Sequence, residues 1–462
     1  DVVDNHFTLS VREPSIVTDR MAHRLLMQAT FGPTLSELQA VQNTGLVTWL
    51  DDQLNLPSAY DSTLDDWQSH LERCIDIATT AEPATNWYGT LAFNEASADG
   101  NADEYQMAAW WDNALGNPAI SSAVGSDQLR QRMAYALSQL LVTSHTAFPL
   151  HRRGEALAYY YDILARNAFG NYRTLLGEIA RSPAMGVYLS HQGNKKASAA
   201  EGTRPDENFA REIMQLFTIG LYELNLDASP NRDGDSLSYP DAGSGLIASY
   251  TQTDIEELAK IMTGWDLVDN SRYGRLVNKD GDYTQQMEFT PAEHEDEVEE
   301  GGDGNVSILG STIALNSGSD GSGMDAVIDL LFSHPNTAPF VSRHLIQRFV
   351  TSNPSPAYIA RIASVFNDNG QGVKGDLKAV IRALLLDPDA RGDGYLSNPD
   401  YGKAKEPLLA LTHFLRAANT TPLNGWSSQG GVSMEDVYWL PSPEKFLGQA
   451  PMRSPSVFNF YN

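Results

Sequence analysis

Apolar residues recur at spacings of three and four along most of the chain, the period of an amphipathic helix. Residues 127–142 place Leu129, Met133, Ala136, Leu137, Leu140 and Leu141 on one side. Residues 155–168 repeat the pattern around Tyr159, Tyr160 and Tyr161, and 172–180 form a shorter segment closed by Ser182-Pro183. Near the start, Thr18 or Asp19 caps a helix carrying Met21, Leu25 and Leu26, which Phe31-Gly32-Pro33 ends. Thr34 opens the next helix with Glu37 three residues on, a capping box, and residues 47–54 predict a third. Further helices are predicted over 206–219, 253–263, 324–332, 338–350, 356–367, 375–386 and 406–417.

Strand signals are few. Residues 306–309 and 311–315 predict one hairpin around Gly310. No alternation of strand and helix would build a Rossmann sheet, and no repeat of about 20 to 50 residues is present. The fold class is therefore mainly α, a large multi-helix composite with long acidic loops and at most a small β-hairpin. Residues 1–226 read as an N-terminal helical region and 323–462 as a C-terminal one. Between them, 227–322 is acidic and loop-rich, with one helix (253–263) and the possible hairpin; the three read as one composite unit.

Composition narrows the classes. Of 462 residues, 42% are hydrophobic, enough to exclude a disordered chain. The 32 basic residues against 59 acidic ones give a net charge of −27, and no basic run exists. That argues against nucleic acid, which is bound by releasing counterions with Lys and Arg. It favours solubility or the binding of cations. Cys74 is the single cysteine, so no intrachain disulfide forms, and it reads as a small buried hydrophobe rather than a nucleophile. No stretch approaches the roughly 18 apolar residues of a spanning helix. A start at Asp1 without Met is what a removed leader or a trimmed chain leaves, and the ending Phe-Asn-Phe-Tyr-Asn reads as a cut.

Two candidate sites stand out. On the 206–219 helix, at about 100° per residue, Glu207, Asn208, Arg211, Glu212, Gln215 and Thr218 form one polar stripe between strongly apolar flanks. Carboxylates beside a guanidinium suit acid/base or anion chemistry, with Asp254 on the following helix as a fourth member. The plain alternative is a solvent face held by a Glu207–Arg211 pair at i,i+4. Because the stripe lacks Lys, Arg211 and Glu212 are expected to be mostly buried. The second candidate is calcium. Asn231, Asp233 and Asp235, and again Asn278, Asp280 and Asp282, share an Asn-x-Asp-Gly-Asp pattern. Alternating oxygen ligands with a turn-forming Gly are what Ca²⁺ loops use, although neither is a full EF-hand. The acidic run from Glu293 to Asp303 repels itself unless it is solvated or bridged by ions. No His-Glu-x-x-His, Cys-x-x-Cys, Gly-x-Ser-x-Gly or phosphate loop occurs, which disfavours zinc, serine-hydrolase and nucleotide chemistry of those types.

The chain resembles the bacterial domain of unknown function 1800 family. Arg24-Leu-Leu-Met-Gln-Ala-Thr-Phe-Gly-Pro-Thr34 and Trp49-Leu-Asp-Asp-Gln-Leu54 are similar to its opening, and residues 129–139, 161–171 and 182–189 to the next blocks. Pro205 to Gly220 is similar to its best signature, followed in order by Tyr250 to Asp254, Thr263-Gly-Trp265 and the Phe458-Asn-Phe-Tyr461 block. The resemblance implies export with a cleaved leader, to the periplasm or outside the cell, and a neighbouring sulfatase-like protein as a possible partner. It carries no catalytic residue. Many members have His-Asp before a Lys and a Leu-Gly pair; here His294-Glu295 and Leu309-Gly310 stand in a stretched, acidic spacing. The expected function is a secreted binding or assembly protein with cation-binding acidic loops, self-assembly included. The rival is a secreted hydrolase of an extracellular polymer working through Glu207, Arg211, Glu212 and Asp254.

Overall fold

The structure is a computed structural model that describes residues 16–57, 69–81, 102–118, 120–121, 123–232, 245–268, 281–295, 304–315, 321–422, 426–427, 433–434, 436–440 and 442–460. These hold eighteen α-helices. The first six are α1 (Asp19–Ala29), α2 (Leu35–Thr44), α3 (Leu46–Asn55), α4 (His70–Ala81), α5 (Ala102–Leu115) and α6 (Gln128–Ser138). Then come α7 (Gly154–Arg166), α8 (Tyr172–Ala180), α9 (Pro183–Tyr188), α10 (Asn208–Gln215), α11 (Gln252–Ile261) and α12 (Ser322–Ser333). The last six are α13 (Thr337–Phe349), α14 (Pro356–Asn367), α15 (Leu377–Leu386), α16 (Pro388–Arg391), α17 (Pro407–Ala417) and α18 (Glu444–Leu447). Mainly α is the fold, as the periodicity requires. Among the described residues no helix is long and apolar enough to cross a membrane.

Local chemistry sets the boundaries. Thr18 caps α1 by accepting from Met21 N. Thr34 and Glu37 close the capping box on α2, each side chain taking the other's backbone N–H. The expected hairpin forms as β3 (Asn305–Ile308) and β4 (Ser311–Ala314), with Leu309 and Gly310 both at positive φ in the turn. Two smaller antiparallel pairs add to it. They are β1 (Trp265–Asp266) with β2 (Glu288–Phe289), and β5 (Trp426–Ser427) with β6 (Ser433–Met434). Pairs of two residues lie below any periodicity that a sequence window detects. The helix read over 206–219 is shorter, because Phe217 N reaches Glu212 O and Ile219 N reaches Met214 O in a widened last turn. Helix α5 had no amphipathic signature because it is buried nearly all round, with Trp110 and Trp111 inside.

One contiguous core runs from Ala22 to Met452 and takes in the apolar faces of most helices. A smaller cluster holds Cys74 with Ile77, Tyr105 and Ala108. Cys74 is fully buried and free, as its apolar surroundings predict, and burial pushes its thiol well up. Across the core, Arg416 of α17 ties the N-terminal helices down. Its guanidinium donates to Gly32 O, Leu115 O and Glu37 Oε1. Gly32 is what lets α17 come this close. A Cβ there would stand 2.4 Å from His413 Cα, and φ is +131°.

That contact generates a prediction. Gly32→Ala must both strain the backbone and push α17 away, so urea unfolding should show a loss of at least about 2 kcal/mol. Gly310→Ala, also at positive φ but with nothing within 4 Å of the added methyl, should lose only about 1 kcal/mol. Equal losses would remove the packing role given to Gly32.

Candidate functional site

The polar stripe of α10 divides between inside and outside. Glu207 and Arg211 pair at 3.0 Å and both side chains are 38% exposed. Gln252 at the start of α11 joins them, donating to Glu207 Oε2 at 2.9 Å. The expectation that Arg211 is mostly buried is therefore corrected. Its i,i+4 acid and Gln252 satisfy it at the surface, so it has no need of an interior partner. Glu212 is buried, 7% exposed, and its Oε2 has no hydrogen-bond partner among the described residues. Burial raises its carboxyl, against the lowering influence of Arg211. Asp254 lies apart from this pair in role. Its Oδ2 closes the Thr251 capping box of α11 and its Oδ1 accepts from Leu309 N in the hairpin turn.

Of the calcium candidates, Asp233, Asp235, Asn278 and Asp280 lie outside the described residues. Asn231 donates its backbone N–H to Glu223 O. Asp282 is buried and its carboxylate is engaged by Thr284 N, Thr284 Oγ1 and Gln285 Nε2. No group of three or more His, Cys, Asp or Glu positioned for a metal occurs among the described residues. His294 serves the fold: its ring bridges Thr263 O at 2.9 Å and Leu315 O at 2.7 Å.

The structure shows instead a cleft that no motif announced. It has a volume of about 1030 Å³. Gln139 and Leu140 line it from beyond α6, Leu216 from the end of α10, and Phe340, His344, Gln347 and Arg348 from α13. The segment Lys403-Ala404-Lys405-Glu406-Pro407 and the pair Val457-Phe458 complete it. Gly402 anchors the lysine segment to the end of α13: its carbonyl accepts from Ser352 N at 2.8 Å, and its N–H donates to Thr351 Oγ1 at 2.9 Å.

Charge in the cleft is unbalanced. Glu406, the N-cap of α17, accepts from Tyr135 Oη, Gln139 Nε2 and Gln449 Nε2 on one oxygen and from Lys403 Nζ on the other. Burial pushes its carboxyl up, but Lys403, Arg132 and the two amides outweigh this and hold it at about 2. Arg348 O, an unpaired carbonyl in the last turn of α13, accepts from Lys403 Nζ and Arg132 Nη2. Arg132 is 2% exposed and stacks on Phe349 and Tyr135, yet its Nε and Nη1 have no hydrogen-bond partner among the described residues. The Arg348 guanidinium has no carboxylate among the described residues. Lys405 Nζ meets His413 Nδ1 at 2.7 Å and Met27 Sδ at 3.5 Å, and no acid among the described residues. Desolvation and then Arg132 and Lys403 bring it down to about 8. Among the described residues, four cations thus share one carboxylate, in a protein whose net charge is −27.

The site is a basic, half-apolar cleft in a helical scaffold. The chain belongs to the family described as protein of unknown function (DUF1800), whose model matches residues 24–462. No curated protein and no solved structure matches it. Sequence reasoning missed the cleft because its parts lie at positions 132, 348 and 405. One signal was present: the chain has nine lysines, and two of them stand in Lys403-Ala-Lys405.

The histidines of this region make a pH prediction. Burial, and for His344 the cations Arg348 and Arg343, lower His344 to about 3; burial and Lys405 bring His413 to about 3 as well. The unfolded value is about 6.5. Below it the unfolded chain takes up protons that the folded chain refuses. Stability is therefore whole above pH 6.5 and falls as the pH drops, by up to about 2 kcal/mol per histidine at pH 5. Glu406 adds a later loss, beginning near its unfolded value of about 4.3 and ending near its folded one. Urea unfolding at pH 7.5 and 5 should show a smaller acid loss for His344→Gln than for the wild type; an unchanged loss contradicts the assignment.

Proposed function

We propose that this is an exported binding protein whose cleft takes an acidic ligand with an apolar body. One observation carries the reading: Arg348 and Lys405 both line the cleft, and neither meets a carboxylate among the described residues. A desolvated cation left unpaired is costly, so such a cluster favours an anion from outside. Leu140, Leu216, Phe340, Val457 and Phe458 offer the ligand apolar contact beside those charges. A large concave site with a few convergent polar groups is the usual form of a small-molecule pocket. The strongly negative charge elsewhere keeps nucleic acid out of the proposal. A second copy of the chain, or an exported sulfatase-like protein, belongs to it as a partner. The hydrolase reading through Glu207, Arg211, Glu212 and Asp254 is the weaker one, because Glu207 and Arg211 neutralise each other and Asp254 is engaged in its helix cap.

Calorimetry with a medium-chain carboxylate and the alcohol of the same chain length tests the proposal. The carboxylate should bind, more weakly as salt rises, and Arg348→Ala should cost it roughly tenfold, about 1.4 kcal/mol. Equal binding of acid and alcohol, or of neither, would overturn it. Calcium in the Asp233/Asp235 and Asn278/Asp280 loops is a separate part of the proposal. Saturating Ca²⁺, at about one hundred times its dissociation constant, should then add about 2.7 kcal/mol to stability relative to chelator. Superimposable melting curves with and without chelator would remove calcium from the account.

A further inference from the structure

The two cleft lysines are held in opposite ways. Lys403 donates to Arg348 O at 2.9 Å and to Glu406 Oε1 at 3.1 Å, so its amine is engaged by an acid and a helix end. Lys405 is exposed at the same cleft and meets no carboxylate among the described residues. Its amine contacts a buried imidazole, His413 Nδ1, which is held neutral by its surroundings and accepts one N–H. The neighbouring charges that act on it, Arg132 and Lys403, are both positive. Cations without a compensating acid favour the uncharged form of an amine, and an uncharged lysine in a site is a nucleophile toward carbonyl carbon.

We propose that Lys405 captures the carbonyl group of an acidic aldehyde or ketone, with the ligand's acid group seated against Arg348. The ligand class rests on the binding reading above and adds one bond to it. Lys405 Nζ attacks the carbonyl carbon and a C–N bond forms. The carbonyl oxygen takes both protons of the amine and leaves as one water, and the product is an imine. No electron is gained or lost, so no oxidant or reductant enters the step. The lowered amine, at about 8, supplies the uncharged form at neutral to mildly alkaline pH. Burial brings Lys403 down to about 8 as well, against the raising influence of Glu406, but its Nζ is engaged by Arg348 O and Glu406 Oε1 and it is less exposed than Lys405.

The test uses the full chain with pyridoxal phosphate and with pyridoxal, the same aldehyde with and without an anion. Each adduct is fixed by cyanoborohydride and mapped by mass over the nine lysines. Lys405 should be labelled at least about tenfold faster than the exposed Lys195 and Lys445 at neutral pH, with its rate half-maximal near pH 8. Pyridoxal phosphate should outpace pyridoxal at Lys405, and Arg348→Ala should remove that advantage while leaving labelling by pyridoxal. Lys405→Arg should abolish the fast adduct. Labelling of Lys405 no faster than of Lys195 and Lys445, with both aldehydes, overturns the proposal and leaves Lys405 as a charge only. Fast labelling by both aldehydes at equal rates would uphold the reactive amine and count against the acidic-ligand reading.

Discussion

One buried carboxylate organises this protein. Glu406 draws Tyr135 and Gln139 from the end of α6, Lys403 from its own segment and Gln449 from near the chain end onto two oxygens. Left unpaired, a buried charge would cost several kcal/mol; with four donors it becomes the point at which distant parts of the chain agree on one position. Because that single acid is fully engaged, the other cations brought in with it stay uncompensated. The cleft's positive character is thus a consequence of how the fold is tied, and the ligand class and the lysine reactivity proposed above both rest on it.

The same logic of few, well-connected polar residues recurs around the core. Arg416 reaches three partners on the N-terminal helices, and Gly32 gives α17 the room to approach them. His294 and Gly264 join the segment after α11 to the acidic region; a Cβ on Gly264 would meet Thr290 O at 2.9 Å. The residues that carry the family resemblance, Phe31-Gly32-Pro33 and Thr263-Gly-Trp265 among them, act here as packing devices. That explains why a whole-chain family match can be strong while saying nothing of chemistry: a motif that positions helices is read in the chain as clearly as one that reacts.

The candidate stripe on α10 shows where sequence pattern stops being informative. Its spacing identified the i,i+4 pair of Glu207 and Arg211, which forms, and it singled out Glu212, which is buried. It could not say which edge of the stripe another element would cover, because Gln252 arrives from a segment whose position the pattern does not encode. Asp254 illustrates the converse. Its acid character was legible, but a Thr three residues earlier and the hairpin turn at Leu309 claimed it for structure.

The sequence alone determined the mainly helical class, most helix positions, the hairpin at Gly310, the burial of Cys74 and the family. These are properties of local periodicity, capping chemistry and residue order, which need no knowledge of what lies across the core. Tertiary structure alone decided that Arg132, Arg348, Lys405 and Glu406 meet, that α5 is buried on nearly every side and that Arg211 stays at the surface. Those outcomes depend on contacts between residues hundreds of positions apart, and the charge balance of a site is set by the company that folding brings to it.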